Sequence, residues 1–264
     1  MESALEEIEF LALSPNRVEV LALLSAGRYT RRELAEATGA SQATLGRILD
    51  DFDDRSWVTR DGSEYTATAT GRLVSAGVTD LRDILETERK LRGIVEYLPT
   101  ETLTFDLRRL SEATITVPSR TRPSAPLQRL LELLEDAEDV RALSHAFNEQ
   151  TLTVVQEQTT TGEQTFTGVF SRAAIEALTD DPDLRRRLTS LLEADDTAVR
   201  TRDDVPLAVM LIDDLVYLLV RDDHGVLRAS IDVDDAAVRS WARDTIEEYW
   251  AAAEPLEAHR LERE

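Results

Sequence analysis

The chain has 264 residues, 42% of them hydrophobic and none a cysteine, enough for one large or two modest globular domains and incompatible with disulfides or cysteine-held metals. Fifty-two acidic residues outnumber 30 basic ones, Lys90 being the only lysine, and the net charge of −22 would ordinarily argue against a nucleic-acid partner. Acidic, lysine-poor chains, however, belong to proteomes that work in molar salt, where a Debye length of about 3 Å confines repulsion to near neighbours, so a halophilic source is expected and DNA is not excluded.

The opening MESALEEIEF lacks the basic stretch and apolar run of a secretory signal. No later apolar run reaches bilayer-spanning length. A cytoplasmic protein without a membrane partner is expected. His145, His224 and His259 are its only histidines and lie far apart, so neither a metal site nor a cofactor is expected.

Ser14-Pro15 opens the first helix that the pattern predicts. Serine caps it, and proline sits where its missing N–H costs nothing. Val20, Leu21 and Leu24 share one face, and the helix ends before Gly27. Thr30-Arg31-Arg32-Glu33 reads as a capping box opening a short helix that Gly39 closes in a left-handed conformation. After this tight turn, Ser41 caps a third helix running to about Asp51. Leu45, Ile48, Leu49 and Phe52 face inward; Ala43, Gly46, Arg47 and Asp50 face outward, flanked by Gln42 and Thr44.

This is a helix-turn-helix of the kind whose second helix enters the major groove by its N-terminal residues. Ser41, Gln42, Thr44 and Arg47 lie at that end and carry hydrogen-bonding groups for base edges or phosphates. Ala43 and Gly46 are small enough for close backbone approach. Glycine costs roughly 1 kcal/mol in a helix interior, so Gly46 needs a reason: a groove or a neighbouring helix. Trp57–Arg60 and Glu64–Thr68 flank Asp61-Gly62-Ser63 as a hairpin, the wing. Arg60 near its tip is placed for a minor groove or phosphate, or is a solvated hairpin charge. Arg28, Arg31 and Arg32 surround the second helix where phosphate contacts fall. Between residues 28 and 60, six Arg balance six acidic residues in a strongly acidic chain.

Residues 80–98 read as one continuous amphipathic helix, with Leu81, Ile84, Leu85, Leu91, Ile94, Val95 and Leu98 at helical spacing and Pro99 ending it. It is the expected connector, paired with its twofold mate or packed on its own C-terminal domain. Residues 100–125 are turn-rich. Beyond them, helices are predicted near 127–134, 173–178 and 183–192 and strands near 140–143 and 165–170; residues 149–158 are ambiguous. Leu207–Ile212, Leu215–Val220 and Leu227–Ile231 read as an antiparallel meander with turns at Asp213-Asp214 and Asp222–Gly225. A helix from about Asp235 to Ala253 follows, with Val238, Trp241, Ala242, Ile246, Tyr249 and Trp250 as its stripe.

The segment RRELAEATGASQATLGRILDDFDDRSWV and the wing exit from Tyr65 to Gly71 resemble haloarchaeal winged-helix regulators. The remainder is similar to the sensor domain of archaeal regulators named after the methanogenesis (filament) regulator. The landmarks are Arg122-Pro123…Pro126-Leu127, Gly162-Glu163, VPLAVMLIDDLVYLLVRDDHG and the Trp241…Tyr249-Trp250 helix. The resemblance implies transcriptional control by a homodimer, and no particular ligand.

The fold class expected is α+β: a winged helix-turn-helix over 1–79, a linker helix over 80–99, and a mixed α/β sensor domain with a three-strand meander over 100–264. The partners expected are double-stranded DNA, a second copy, and a small-molecule or protein effector, for which Arg120 and Arg122 in the proline-bounded loop are the candidate anion clamp. The alternative is a winged-helix module that contacts protein in the transcription machinery. Catalysis is not expected. A phospholipase-D-type site needs a closely spaced His and Lys that Lys90 cannot supply, and neither a Gly-x-Ser-x-Gly elbow nor a P-loop occurs.

Overall fold

A computed structural model describes residues 3–261, and the chain divides into two compact units, Met1–Glu86 and Thr87–Glu264.

The first unit is a winged helix-turn-helix. Helices α1 (Ala4–Ala12), α2 (Pro15–Ala26), α3 (Arg31–Thr38) and α4 (Gln42–Asp54) precede a hairpin of β2 (Val58–Asp61) and β3 (Glu64–Ala67). The capping box at Thr30 and Glu33 is formed, Gly39 takes φ +68°, and Ser41 accepts the Thr44 N–H. Ser14 makes no side-chain cap, so α2 starts on the pre-set φ of Pro15 alone.

Two elements here were not read from the sequence. Helix α1 opens with a second capping box, Ser3 with Glu6, and buries only Leu11 among its residues. Strand β1, only Tyr29–Thr30, pairs with β3 to give the order β1-β3-β2. Two residues are too few for any periodicity to register.

Leu21, Leu24, Leu34, Leu45 and Phe52 are fully buried in the head's core. Phe10, Phe52 and Trp57 cluster with ring centroids 5.7–6.3 Å apart. Arg17 and Arg55 lie over the Phe10 ring at 3.9 and 4.0 Å and pair with Asp51 and Glu7. Two charges from α2 and the end of α4 thereby tie α1 to the head by cation–π contact and ion pairing.

The predicted 80–98 helix is replaced by a longer and earlier one, α5 (Ala69–Leu91). It grows straight out of the wing, where Thr68 Oγ1 accepts the Gly71 N–H at 3.1 Å. It stops at Leu91, and a 3-10 turn over Val95–Tyr97 follows. Gly93 supplies the physical reason, since glycine weakens a helix interior. Leu91, Ile94 and Leu98, freed from one helical face, are buried in the core of the second unit.

The second unit is an eight-stranded mixed sheet in the order β11-β7-β6-β5-β8-β9-β10-β4. Strands β5 (Asp139–Ser144), β6 (Thr165–Ser171) and β7 (Thr197–Arg202) run parallel, linked by α7 (Glu149–Thr161) and by α8 (Arg172–Thr179) with α9 (Pro182–Leu192). Strands β8 (Ala208–Ile212), β9 (Leu215–Arg221) and β10 (Leu227–Val233) form the antiparallel meander, joined to β5 through β8. Edge strands β4 (Thr114–Thr116) and β11 (Glu254–Pro255) close the two sides.

Helix α6 (Ala125–Glu135) packs with α7, α8 and α9 over one face, and α10 (Ala236–Ala252) covers the other. The Asp213 turn is a fixed bracket: at φ +50° its Oδ1 accepts the Glu138 and Asp139 N–H groups at 3.1 and 2.9 Å. Strand β7 was not read from the sequence because its arginines, Arg200 and Arg202, obscure the alternation; they lie over Trp250 and Tyr249 of α10 at 4.4 and 4.6 Å. Among the described residues no helix is long and apolar enough to cross a membrane.

Candidate nucleic-acid interface

Helix α4 is held by its inner face. Leu45, Ile48, Leu49 and Phe52 are at most 3% exposed, and burying four such side chains contributes roughly 1.5–3 kcal/mol each. The outer face is thereby fixed: Ser41, Gln42, Ala43, Arg47 and Asp50 are exposed, Thr44 and Gly46 partly so. Ser41 and Thr44 hydroxyls bond each other at 2.9 Å while Ser41 caps the helix.

Gly46 has a neighbour that the sequence did not identify. The Arg31 guanidinium lies across it, so that a Cβ on residue 46 would stand 3.0 Å from Arg31 Cζ and collide with its Nη2. That Nη2 donates to the Gln42 carbonyl, and the Gln42 amide reaches back to the Arg31 carbonyl at 3.5 Å. Arg31 therefore clasps the two helices of the motif together, its Nε shielded and without an acceptor. The glycine makes room for this arginine. We expect Gly46→Ala to leave unfolding stability within about 1 kcal/mol of wild type, because the flexible end of Arg31 can swing away while alanine favours the helix. A thermal melt at high salt measures it; a larger loss would mean that the clasp is essential to the fold.

The other arginines divide by what they touch. Arg47 is exposed and has no hydrogen-bond or ion-pair partner among the described residues. Among the described residues Arg32 pairs with Glu36 one turn on, at 3.7 Å, both side chains well exposed, a contact of little energy. Arg28 reaches Asp61 of the wing at 3.5 Å, also in the open. Arg60 donates to the Gly62 carbonyl at 2.8 Å across the hairpin tip and lies 5.4 Å over the Tyr65 ring. Arg55, counted in the local charge balance, is spent inside the head on Phe10 and Glu7.

Of the residues singled out by the sequence, the head brings Arg28, Arg31, Arg32, Ser41, Gln42, Ala43, Thr44, Gly46 and Arg47 onto the motif and Arg60 onto the wing. Arg120 and Arg122 lie elsewhere, exposed on the loop between β4 and α6, where Ser119 and Arg122 exchange backbone hydrogen bonds of 3.1 and 3.2 Å. Neither lines any of the cavities described for this unit. Among the described residues no three His, Asp or Glu side chains are grouped to hold a metal ion.

Two family models match the chain. Residues 5–90 match the HVO_A0261 N-terminal domain, and residues 123–252 match the middle domain of the methanogenesis regulatory protein FilR1. No curated protein matches the chain. Among solved structures, TrmBL2, described as an archaeal chromatin protein with a novel mode of DNA binding, is 14% identical; the alignment covers 96% of this chain and 100% of that one with a TM-score of 0.41. Nuc, a phospholipase D family member from Salmonella typhimurium, is 10% identical over 55% of this chain and 99% of its own, with a TM-score of 0.43. The adhesin competence repressor AdcR from Streptococcus pyogenes is 23% identical over 33% of this chain and 72% of its own, with a TM-score of 0.26. The chain thus joins a region that matches the HVO_A0261 N-terminal domain to one that matches the FilR1 middle domain.

Proposed function

We propose that this two-domain chain is a sequence-specific, DNA-binding transcription regulator that acts as a homodimer in concentrated salt and answers to an effector held by its C-terminal domain. The observation that carries the DNA half is the outer face of α4. It projects from a winged-helix frame, it is small at Ala43 and Gly46, and its one long cation, Arg47, is exposed and uncommitted. In this reading Arg47, Gln42 and Thr44 meet base edges, while Arg28, Arg32 and Arg60 meet phosphates by giving up their weak solvent-exposed partners. Arg31 serves the same surface by holding α3 and α4 in register.

The homodimer is supported by an unpartnered apolar stripe. Leu73, Leu81, Ile84 and Leu85 on α5 are 39–74% exposed, and Leu5 and Ile8 of α1 are 76% and 47% exposed. Beside them runs a groove of about 840 Å³ lined by Ile8, Leu11, Val18, Trp57, Val74 and Val78. A chain with this much surface charge gains nothing from exposing leucines unless a second copy covers them. Twofold pairing through α5 would set two recognition helices on one face of a duplex, as paired half-sites require. We expect Leu85→Glu to convert a dimeric mass to a monomeric one by light scattering at working salt; a wild-type chain that is already monomeric would remove the dimer from this reading.

The test of the DNA reading is direct. The chain, at molar salt, is presented with random-sequence duplexes, and the retained pool is sequenced. A recurrent motif supports the proposal, and a pool that stays random refutes it.

A further inference from the structure

A cavity of about 590 Å³ opens where β5 ends, β8 begins and β9 ends. The size is that of a small-molecule site. The place is chemically apt as well: ligands of open sheets sit beyond the carboxyl ends of parallel strands, where strand direction changes, and β5 is the parallel strand next to antiparallel β8. Leu98, Val205, Leu207, Leu218 and Val220 form apolar walls. The charged and titratable groups on it are Glu96, Tyr97, His145, Arg221, Asp222 and Asp223.

Arg221 is the anomaly. Its Nη1 donates to the Gly225 carbonyl at 2.8 Å, but its Nε is shielded from solvent and has no acceptor. No described carboxylate pairs with it, in a chain carrying 52 of them. The nearby acids are already taken or face outward. Asp222 accepts the Val226 and His224 N–H groups at 2.9 and 3.0 Å and an Arg228 guanidinium at 2.6 Å. Glu96, which raises the pKa of the neighbouring Tyr97 hydroxyl, and Asp223 are exposed. His145 completes the wall. Burial, and next the Arg221 charge, hold its imidazole below the ordinary histidine pKa, while the Leu207 backbone opposes this by hydrogen bonding. Arg221, with no described carboxylate paired to it, and His145 thus adjoin a cavity with apolar walls, on which Glu96, Asp222 and Asp223 also lie.

We propose that this cavity binds a small organic carboxylate, its head on the Arg221 guanidinium and His145 and its apolar body against Leu98, Leu207 and Leu218. The inference deepens the effector half of the proposed function, but the binding itself does not depend on DNA. The probe is hexanoate, measured by calorimetry on the full chain at molar potassium chloride, with hexan-1-ol and inorganic phosphate as comparators. One saturable hexanoate site per chain is expected, with hexan-1-ol and phosphate binding far more weakly. Arg221→Gln should weaken hexanoate on the order of 10- to 100-fold, and Arg120→Gln should not change it. Should Arg221→Gln fail to fold, the wild-type His145 imidazole resonances, assigned through His145→Gln, give the second reading. Hexanoate should move them toward the protonated state. Absence of saturable binding, equal binding of hexan-1-ol, preference for phosphate, or an unmoved His145 would each overturn the assignment. A failed duplex selection alongside intact hexanoate binding would defeat the DNA reading and leave this site standing.

Discussion

Arg47→Ala is expected to weaken binding to a cognate duplex by roughly 10- to 100-fold while leaving the melting temperature unchanged. The size follows from the loss of one good base-edge contact, about 1–3 kcal/mol of discrimination. The selectivity follows from the fold. Arg47 is exposed and makes no hydrogen bond or ion pair among the described residues, so its removal strands no polar partner, and such surface changes normally stay within about 0.5 kcal/mol. In molar salt the long-range attraction that usually dominates protein–DNA affinity is screened. A lean face must then draw its specificity from close contacts, which makes the loss of one of them large. The measurement is fluorescence anisotropy on a selected duplex, with a melt of the same variant. Equal affinity for wild type and variant would show that α4 does not read that site.

Gly71→Ala should be the most damaging small substitution in the head, costing at least about 2 kcal/mol. Gly71 lies in the first turn of α5, where the helix leaves the wing. A Cβ there would stand 2.8 Å from the Trp57 carbonyl carbon and overlap its oxygen. That oxygen is not free to retreat, because it accepts the Thr68 N–H at 2.8 Å and the Thr68 hydroxyl at 3.2 Å. Trp57 itself is wedged against Phe52 and Phe10. Here the obstruction is backbone, unlike at Gly46, where it is the movable end of an arginine. Chemical unfolding of the two variants side by side separates these cases. A Gly71→Ala protein as stable as Gly46→Ala would contradict the close approach.

How much of this was legible in the sequence depends on how local the determining signal is. The motif from Thr30 to Gly62 was readable because each boundary has its own chemistry: a capping box, a left-handed glycine, a serine cap and a turn glycine. The three meander strands were readable because they alternate or run apolar between clear turns. Strands β1 and β11 were not, being two residues each and defined only by their partners. Strand β7 hides behind arginines whose apolar stems lie on the aromatic rings of α10. The connector was misplaced because the apolar spacing of 81–98 continues through Gly93, although Leu81, Ile84 and Leu85 are exposed and Leu91, Ile94 and Leu98 are buried in the second unit. One period in the sequence served two different surroundings. Of the site, the outer face of α4 was evident from the helical projection. The role of Arg31 across Gly46 was not, since it joins residues fifteen positions apart in sequence (46 minus 31) through a side-chain fold that no pattern encodes. The cavity at Arg221 was equally hidden, assembled from segments near 97, 145, 207 and 221 that only the sheet brings together.

The central claim, that α4 reads DNA as one half of a twofold pair, is tested most directly by the duplex selection run in parallel with wild type and Arg47→Ala. Wild type is expected to enrich a pseudo-palindromic motif with half-sites about one helical turn, 10–10.5 base pairs, apart, and Arg47→Ala is expected not to enrich it. No enrichment by wild type, or the same motif recovered with equal strength by the variant, would contradict it.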